Sequence, residues 1–549
     1  MKTYKYYLLA CLSGILLALS YPPFPLSYLA FIGFVPLLFV IDQKPKRTFF
    51  ILYLPFFIYN LLANWWIGSW QKDSDTFLMI SGVLYCLVHP FFFMIPMLIY
   101  QTIRKRYSGN FGLLSFPFVW IAFEWAHSFG DLSFPWLNIG YTQIYNNDWI
   151  QFIDITGIYG ASFLIVLCNV LFFIVILKIR SANKISLRTL VYSKPILNLL
   201  IFIAAIFTVP NIYGIYTNKI YDHNKLMSEN SKIKIALIQP NINPWKKWET
   251  NVWNQLDIHK EIQDSLFKIH NDINLCIWSE TTIHYISSEI NSEHNFSEIY
   301  NWLNLGNTSL LSGFADIHKF PATEKGDATS RYFPLDSSYK YISYNSALLI
   351  TPNKNEQGFE YQIYHKMKLT PFSERLPYPE VLSSVLSWVE WGVGISSWSL
   401  GNSQKTLNTI FEKDTVRIAS IICIESIYPN FVRKFSDLGA NIFVVITNDG
   451  WYDNTPGPLQ HYLIACCRAI ESKKYLARCA NTGISGFIKP NGETLVRLEQ
   501  YKRSGIVSEI PLMENKTFYA VSGDWLAYLS TFIASLLFLY SIIIKFRKK

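Results

Sequence analysis

Eight long apolar runs limit what this chain can fold into. They lie near residues 6–22, 27–41, 48–64, 77–100, 111–127, 161–178, 195–216 and 520–544. A helix rises about 1.5 Å per residue, so about 20 apolar residues match the hydrocarbon core of a bilayer. Most of the runs approach that length. The run at 27–41 is short and reads either as a span, which is favoured, or as a buried or re-entrant segment. Pro90 and Pro96 interrupt the fourth run; membrane helices tolerate such breaks where neighbours satisfy the freed carbonyls. The chain is 51% hydrophobic and 16% charged, with a net charge of +9. Its Lys and Arg residues sit in short patches between apolar runs, which reads as membrane topology and not as a nucleic-acid surface.

The positive charges predict orientation. Lys2 and Lys5 precede the first run, and Lys44, Lys46 and Arg47 follow the second. Arg104, Lys105 and Arg106 follow the fourth, and Lys178, Arg180, Lys184 and Arg188 follow the sixth. Arg547, Lys548 and Lys549 end the chain, whereas 127–160 holds no Lys or Arg and 65–76 holds only Lys72. This alternation fits eight spans with both termini in the cytoplasm. Residues 1–216 then carry seven spans. Residues 217–519 form a domain outside the cytoplasm, and 520–549 hold the last span and a basic tail. "LLAC", Leu8 to Cys11, imitates a lipoprotein cleavage box, but the apolar stretch before it is too short for a signal peptide. The first helix is expected to be retained.

The outer segment changes texture. "KIKIALIQPNI" (232–242), "INLCIWSETT" (273–282), "TSLLSGFADI" (308–317), "YNSALLITPN" (344–353), "RIASIICIES" (417–426), "ANIFVVITNDGW" (440–451), "KYLARCANTG" (474–483) and "GFIKPNGET" (486–494) are short and strand-like. Helical patterns at 248–269 and 458–471 lie between some of them. Strands alternating with helices predict a layered α/β domain, with ligand chemistry where strands end. Five cysteines fall here: Cys276, Cys423, Cys466, Cys467 and Cys479. An odd number leaves at least one unpaired within the chain, and no spacing suggests a zinc site. A free thiol in an oxidising compartment hints at a working one.

Three strand ends stand out. Glu280 follows "LCIWS", Lys366 and Glu374 lie in "YHKMKLTPFSE", and Cys423 follows "RIASII". A thiol attacks as thiolate and needs a base or a lowered pKa. A carboxylate can take its proton, and an ammonium can stabilise thiolate and oxyanion. A helix beginning near residue 428 would add its positive end. Taken singly, Cys423 reads as a core thiol, Glu280 as a cap or ion pair and Lys366 as a solvated charge. No periodicity brings the three together.

A resemblance does. "IWSETTIH" (277–284), "YHKMKLTPFSERLP" (364–377) and "ICIESIYPN" (422–430) resemble the Glu–Lys–Cys set of the nitrilase superfamily. "TNDGWYDNTPGPLQH" (447–461), with Arg468 and Glu471, is similar to the superfamily's segment beyond the nucleophile. Together with the membrane spans, "FPWLNIGYTQ" (134–143) and "LIQPNINPWKKWE" (237–249), the chain resembles the apolipoprotein N-acyltransferase family over nearly its whole length. The resemblance implies an α-β-β-α sandwich on the periplasmic side of a bacterial inner membrane. It implies transfer of an acyl chain from a phospholipid to the N-terminal amine of an S-diacylglyceryl-cysteine, without cofactor or metal. Glu280 would be general base, Lys366 oxyanion stabiliser and Cys423 nucleophile. Glu374 would support the lysine or the proton transfers, and Glu425 would shape the pocket. Trp136 and Trp248 match family positions near the substrate path. The family often has an aromatic residue between the cysteine and the next acid; Ile424 stands there, so no aromatic acyl contact is implied at that spot. The implied partners are a phospholipid donor, a diacylated apolipoprotein acceptor and membrane lipid, with the protein a monomer and no nucleic acid bound.

Residues 376–404 hold no Lys or Arg after Arg375, and three tryptophans, Trp388, Trp391 and Trp398. In a water-soluble domain such a stretch is core or a lipid-facing arm. Beside eight spans the arm is favoured, with Trp388 and Trp391 as substrate-side candidates. Two rival readings are a membrane-anchored amidase or nitrilase acting on a small carbon–nitrogen substrate, and a non-catalytic transporter or binding protein. Hydrolysis needs water at the acyl-enzyme, whereas acyl transfer needs it excluded. The spans offer few buried ionisable pairs for transport beyond Glu124 and His127.

Overall fold

The computed structural model describes the whole chain except residues 1–2, 44–47, 72–73, 75, 108, 182–192, 248–250, 271, 289–291, 304–305, 335, 354–357, 383–397, 412 and 548–549. It comprises two compact units. One holds Met1–Gly68, Ile80–Ile220 and Val521–Lys549; the other holds Ser69–Met79 and Tyr221–Ala520.

The first unit is helical. Five stretches are long and apolar enough to cross a membrane: Phe49–Gly68, Leu78–Arg104, Ile158–Ser181, Lys194–Ile220 and Trp525–Ile544. Tyr4–Ser20 and Ser27–Asp42 are apolar but shorter. The second of these is broken into Ser27–Leu29, Ala30–Gly33 and Val35–Asp42, and most of it is buried. Asn169, on the helix Ile158–Ser181, satisfies the break: its Oδ1 accepts the Phe34 N–H at 2.8 Å and its Nδ2 donates to the Ala30 carbonyl at 2.8 Å. The fourth run is also divided. Thr76–Val88 ends at His89, and Pro90 opens Pro90–Arg104, where a missing N–H removes no helical bond. Phe202, Val209 and Ile212 of Lys194–Ile220 stand outward, each more than 60% exposed. A helix apolar on its outward side as well suits lipid, not water.

The second unit is built on two sheets. The first joins, in order, β14 (Ser504–Pro511), β1 (Lys232–Gln239), β2 (Leu275–Ile277), β4 (Ser309–Pro321), β6 (Asp336–Pro352) and β5 (Arg331–Phe333). β3 (Ile283–Ile286) pairs with β4, and β7 (Phe359–His365) pairs with β6. The second sheet runs β13 (Thr494–Arg497), β12 (Gly486–Ile488), β11 (Leu476–Ala480), β10 (Ile442–Thr447), β9 (Asp414–Ile422), β8 (Leu407–Phe411). Its centre, β9–β10–β11, is parallel. All six β10 residues, "IFVVIT", are buried, the continuous apolar run that a strand covered on both faces requires. Each of its Ile, Phe and Val side chains stabilises by about 1.5–3 kcal/mol.

Side-chain alternation makes the layers. Ala236, Ile238, Cys276, Trp278, Leu310 and Leu348 form one face of the first sheet and pack against Leu256 of the helix Val252–Ile269 and Phe296, Ile299 and Leu303 of Ser292–Leu303. The opposite face meets the second sheet. There the Cys479 thiol of β11 lies 3.2 Å from the carbonyl oxygens of Ile238 and Ile277, and Ser309 of β4 bonds Thr409 of β8 at 3.1 Å. The helices Pro429–Asp437 and Pro456–Ser472 pack against the second sheet. The result is the expected α-β-β-α sandwich. Most of the 376–404 stretch lies outside the described residues, but its third tryptophan, Trp398, is buried against Ala315 and Leu369. For that residue, core is the correct reading and lipid-facing is not.

Candidate active site

The nucleophile candidate sits on a sharp turn. β9 stops at Ile422, and Cys423 takes φ +49° and opens the turn Cys423–Ile427 ahead of the helix Pro429–Asp437. A left-handed non-glycine residue costs about 1–3 kcal/mol and persists only when its surroundings hold it. Glu425 Oε2 accepts the Ile422 N–H at 2.8 Å, and Ser426 Oγ donates to the Cys423 carbonyl at 2.8 Å. The turn leaves the Cys423 side chain only partly covered.

Glu280 also leaves a strand end. Three residues after β2, it precedes Thr281, at φ +51°. β4 passes so close that a Cβ on Gly313 would lie 2.4 Å from the Thr281 nitrogen and 2.6 Å from the Glu280 Cα, so only glycine fits there. From beneath, the buried Lys247 amine donates to the Glu280 carbonyl at 3.2 Å and to Thr281 Oγ1 at 3.0 Å. Burial lowers the Lys247 pKa to about 7, against the pull of Glu280.

Lys366 follows β7 directly and is buried. Its amine donates to Glu280 Oε1 at 2.9 Å and to both oxygens of Glu374, at 2.8 and 2.9 Å. Asn345 of β6 bridges the same carboxylates, its Nδ2 lying 2.8 Å from Glu280 Oε1 and 2.8 Å from Glu374 Oε1. Glu374 is further held by the Thr370 N–H at 2.8 Å and hydroxyl at 2.9 Å. Glu425 sits apart from this cluster. It accepts from the Tyr364 hydroxyl and the Met367 N–H, each at 2.7 Å, and so ties the lysine-bearing loop to the strand that ends at the cysteine. Burial pushes its carboxyl up to about 7 despite those donors.

The electrostatics are coupled. Burial disfavours the Lys366 ammonium, but Glu280, Glu374 and the Cys423 sulfur outweigh it and hold its pKa well above the ordinary lysine value. Burial also works against the Glu374 carboxylate, and Lys366 overcomes it, so that carboxyl lies below its usual range. Burial and then Glu280 push the Cys423 thiol far up, while Lys366 pulls it down. The resting sulfur is therefore a thiol, and its proton must leave during attack. Two carboxylates, Glu280 and Glu374, here face the one ammonium of Lys366.

The structure thus brings together Glu280, Lys366, Glu374 and Cys423, with Glu425 behind them. Trp136 belongs to the helical unit, where it is buried with Phe134 stacked at 5.5 Å and Trp66 at 5.0 Å. Trp248, Trp388 and Trp391 lie outside the described residues. Sequence reasoning missed Asn345, Lys247 and His461, although all three stand in the quoted strings. An asparagine inside "YNSALLITPN", at a strand position otherwise apolar, is the signal that was there to be read. Among the described residues no group of His, Cys, Asp and Glu is arranged to hold a metal ion.

Comparison with known proteins agrees. Residues 13–171 match the apolipoprotein N-acyltransferase N-terminal domain, and residues 234–516 match the carbon-nitrogen hydrolase family. The apolipoprotein N-acyltransferase of Chlorobaculum tepidum is 30% identical over 98% of this chain and 97% of its own length. That of Geobacter metallireducens is 29% identical over 95% and 92%. Among solved structures, Saccharomyces cerevisiae Nit3, of the nitrilase superfamily, is 15% identical, with a TM-score of 0.35 over 51% of this chain and 90% of that one. The sandwich and its buried Glu–Lys–Cys cluster, the apolar helices, and this near-complete match to the Chlorobaculum tepidum relative have one conclusion: the chain belongs to the apolipoprotein N-acyltransferase family.

Proposed function

We propose that this apolipoprotein N-acyltransferase works by two half-reactions on Cys423. In the first, the sulfur attacks an ester carbonyl of a phospholipid. Its proton passes to Glu280, and the developing oxyanion is stabilised by the Lys366 ammonium. Collapse breaks the ester carbon–oxygen bond, the leaving alkoxide takes the proton from Glu280, and a lysophospholipid departs. An acyl thioester remains on Cys423. In the second, the free N-terminal amine of an S-diacylglyceryl-cysteine attacks the thioester carbon and gives its proton to Glu280. Collapse breaks the carbon–sulfur bond, and the returning proton restores the thiol. Glu374 keeps Lys366 charged through both, and Glu425 holds the lysine loop against the nucleophile turn.

The observation that carries this reading is the Lys366 amine, held at 2.9 Å from Glu280 and 2.8 Å from Glu374 in the cluster whose charge acts on the Cys423 thiol. Eight spans with both termini cytoplasmic, residues 1–216 and 520–549 in the membrane unit and 217–519 on the periplasmic side of an inner membrane complete the proposal, supported by the Lys and Arg asymmetry. Within residues 376–404, the part that carries Trp388 and Trp391 serves as an arm that meets lipid, while Trp398 belongs to the core. Trp136 and Trp248 each meet substrate, and the enzyme acts as a monomer. Mass spectrometry of a lipoprotein N-terminus from cells with and without this protein tests the reading. N-acylated cysteine is expected only with it; a free amine in both, or release of free fatty acid in place of transfer, refutes it.

A further inference from the structure

A second buried cluster stands behind the nucleophile. His461 projects from the helix Pro456–Ser472 with Nδ1 2.9 Å from Asp449 Oδ1. Its Nε2 lies 3.1 Å from the Cys423 carbonyl oxygen and 2.8 Å from Ser426 Oγ. Asp449 is fixed in turn: Arg478 Nη2 donates to its Oδ2 at 2.9 Å and Thr447 Oγ1 to its Oδ1 at 3.0 Å. Arg478 is anchored by donating to the Ile484 carbonyl at 2.8 Å. His461, Asp449 and Arg478 are all buried. Burial would raise the Asp449 carboxyl, but Arg478 and His461 hold it well below its usual range, so the acceptor for Nδ1–H is a carboxylate.

We propose that His461 is a positioning residue for the acyl transfer proposed above: it grips the main chain of Cys423 and holds the left-handed turn that presents the sulfur to Glu280 and Lys366. As an imidazolium, His461 donates from both ring nitrogens, to a fixed carboxylate on one and to the nucleophile's own carbonyl on the other. The Cys423–Ile424 peptide is planar, so holding that carbonyl also fixes the Ile424 N–H, which points the opposite way. Ser426 also donates to this carbonyl, but from within the turn itself, whereas His461 ties the turn to a separate helix. The inference rests on the proposed chemistry at Cys423, and its test separates the two.

Phospholipid is mixed with purified, full-length wild-type protein and with His461→Ala, His461→Gln and His461→Asn, and the rate of thioester formation on Cys423 is followed by intact mass across phospholipid concentrations. A displacement of about 1 Å at a reacting group costs on the order of 100-fold in rate. His461→Ala should therefore lose about 100-fold in the maximal rate with phospholipid KM unchanged. The glutamine amide reaches where Nε2 stood and should recover at least about tenfold of that loss, whereas the asparagine amide reaches only the Nδ1 position and should behave like alanine. If the alanine variant does not fold, the glutamine and asparagine pair decides alone. Equal rates for wild type and alanine, a change confined to KM, or glutamine no better than asparagine overturns the inference. Absence of thioester in the wild type refutes the two-step chemistry instead.

Discussion

Replacing Glu374 with glutamine isolates what holds Lys366, the proposed oxyanion stabiliser. The wild-type carboxylate accepts two bonds from Lys366, one from Asn345 and two from Thr370. Glutamine has the same shape but one oxygen, and its amide nitrogen donates. Placed at Oε2, that nitrogen meets the Thr370 N–H and hydroxyl; placed at Oε1, it meets the Asn345 amide. Either way Lys366 keeps Glu280 as its one carboxylate partner in the cluster. Removing one partner of a buried pair costs about 3–5 kcal/mol, mostly from the charge left behind. The loss is pH-dependent with a definite sign. Glu374 titrates below its ordinary value when folded, so its stabilisation is full above about pH 4.3 and is lost as pH falls through the folded value. Thermal unfolding of detergent-purified protein from pH 3 to 8, beside the thioester rate, is the assay. Glu374→Gln should unfold at a clearly lower temperature at pH 7, converge on wild type in acid, and form thioester at least about tenfold more slowly, the factor that each 1.36 kcal/mol of barrier carries. Equal stability at pH 7, or a gap that widens in acid, refutes the reasoning.

The resting thiol should alkylate slowly with iodoacetamide at pH 7 and faster as pH rises; Glu280→Gln, by removing a charge that raises the thiol pKa, should speed alkylation while abolishing acyl transfer, and a pH-independent wild-type rate contradicts this. Single cysteines introduced into the 101–110 and 179–194 loops of intact cells should resist an impermeant maleimide, whereas sites in 217–519 should label; labelling in 179–194 overturns the topology. Replacing Trp388 and Trp391 with serine should weaken use of long-chain phospholipid more than reaction with a small alkylator, and equal losses in both make the arm a core element.

The sequence carried the architecture further than the site. Apolar runs became helices because lipid and core both demand burial, but the breaks at Gly33–Phe34 and at His89–Pro90 are set by a neighbour, Asn169, and by a missing N–H. "IFVVITN" was legible as a buried strand because its environment is uniform along the run. "INLCIWSETT" was not: only Leu275–Ile277 pairs, and the chain then turns away to place Glu280. The proposed catalytic residues were recognisable as a family pattern, not from spacing, since Lys366 meets a glutamate 86 positions away. The roles of Asn345 and His461 were hidden for the same reason, although the polar Asn345 in an apolar strand was itself a visible signal. Asn345 meets Glu280 65 positions away, and His461 meets the Cys423 carbonyl 38 positions away, so neither contact shows in the local pattern.

The central claim is a covalent acyl group on one sulfur. Purified wild-type protein incubated with phospholipid and no acceptor, then weighed intact and peptide-mapped, should gain one acyl chain on Cys423 and release lysophospholipid, while Cys423→Ala stays folded and gains nothing. An acyl group on another residue, an adduct of equal yield in Cys423→Ala, or acyl transfer with no adduct at all contradicts the account.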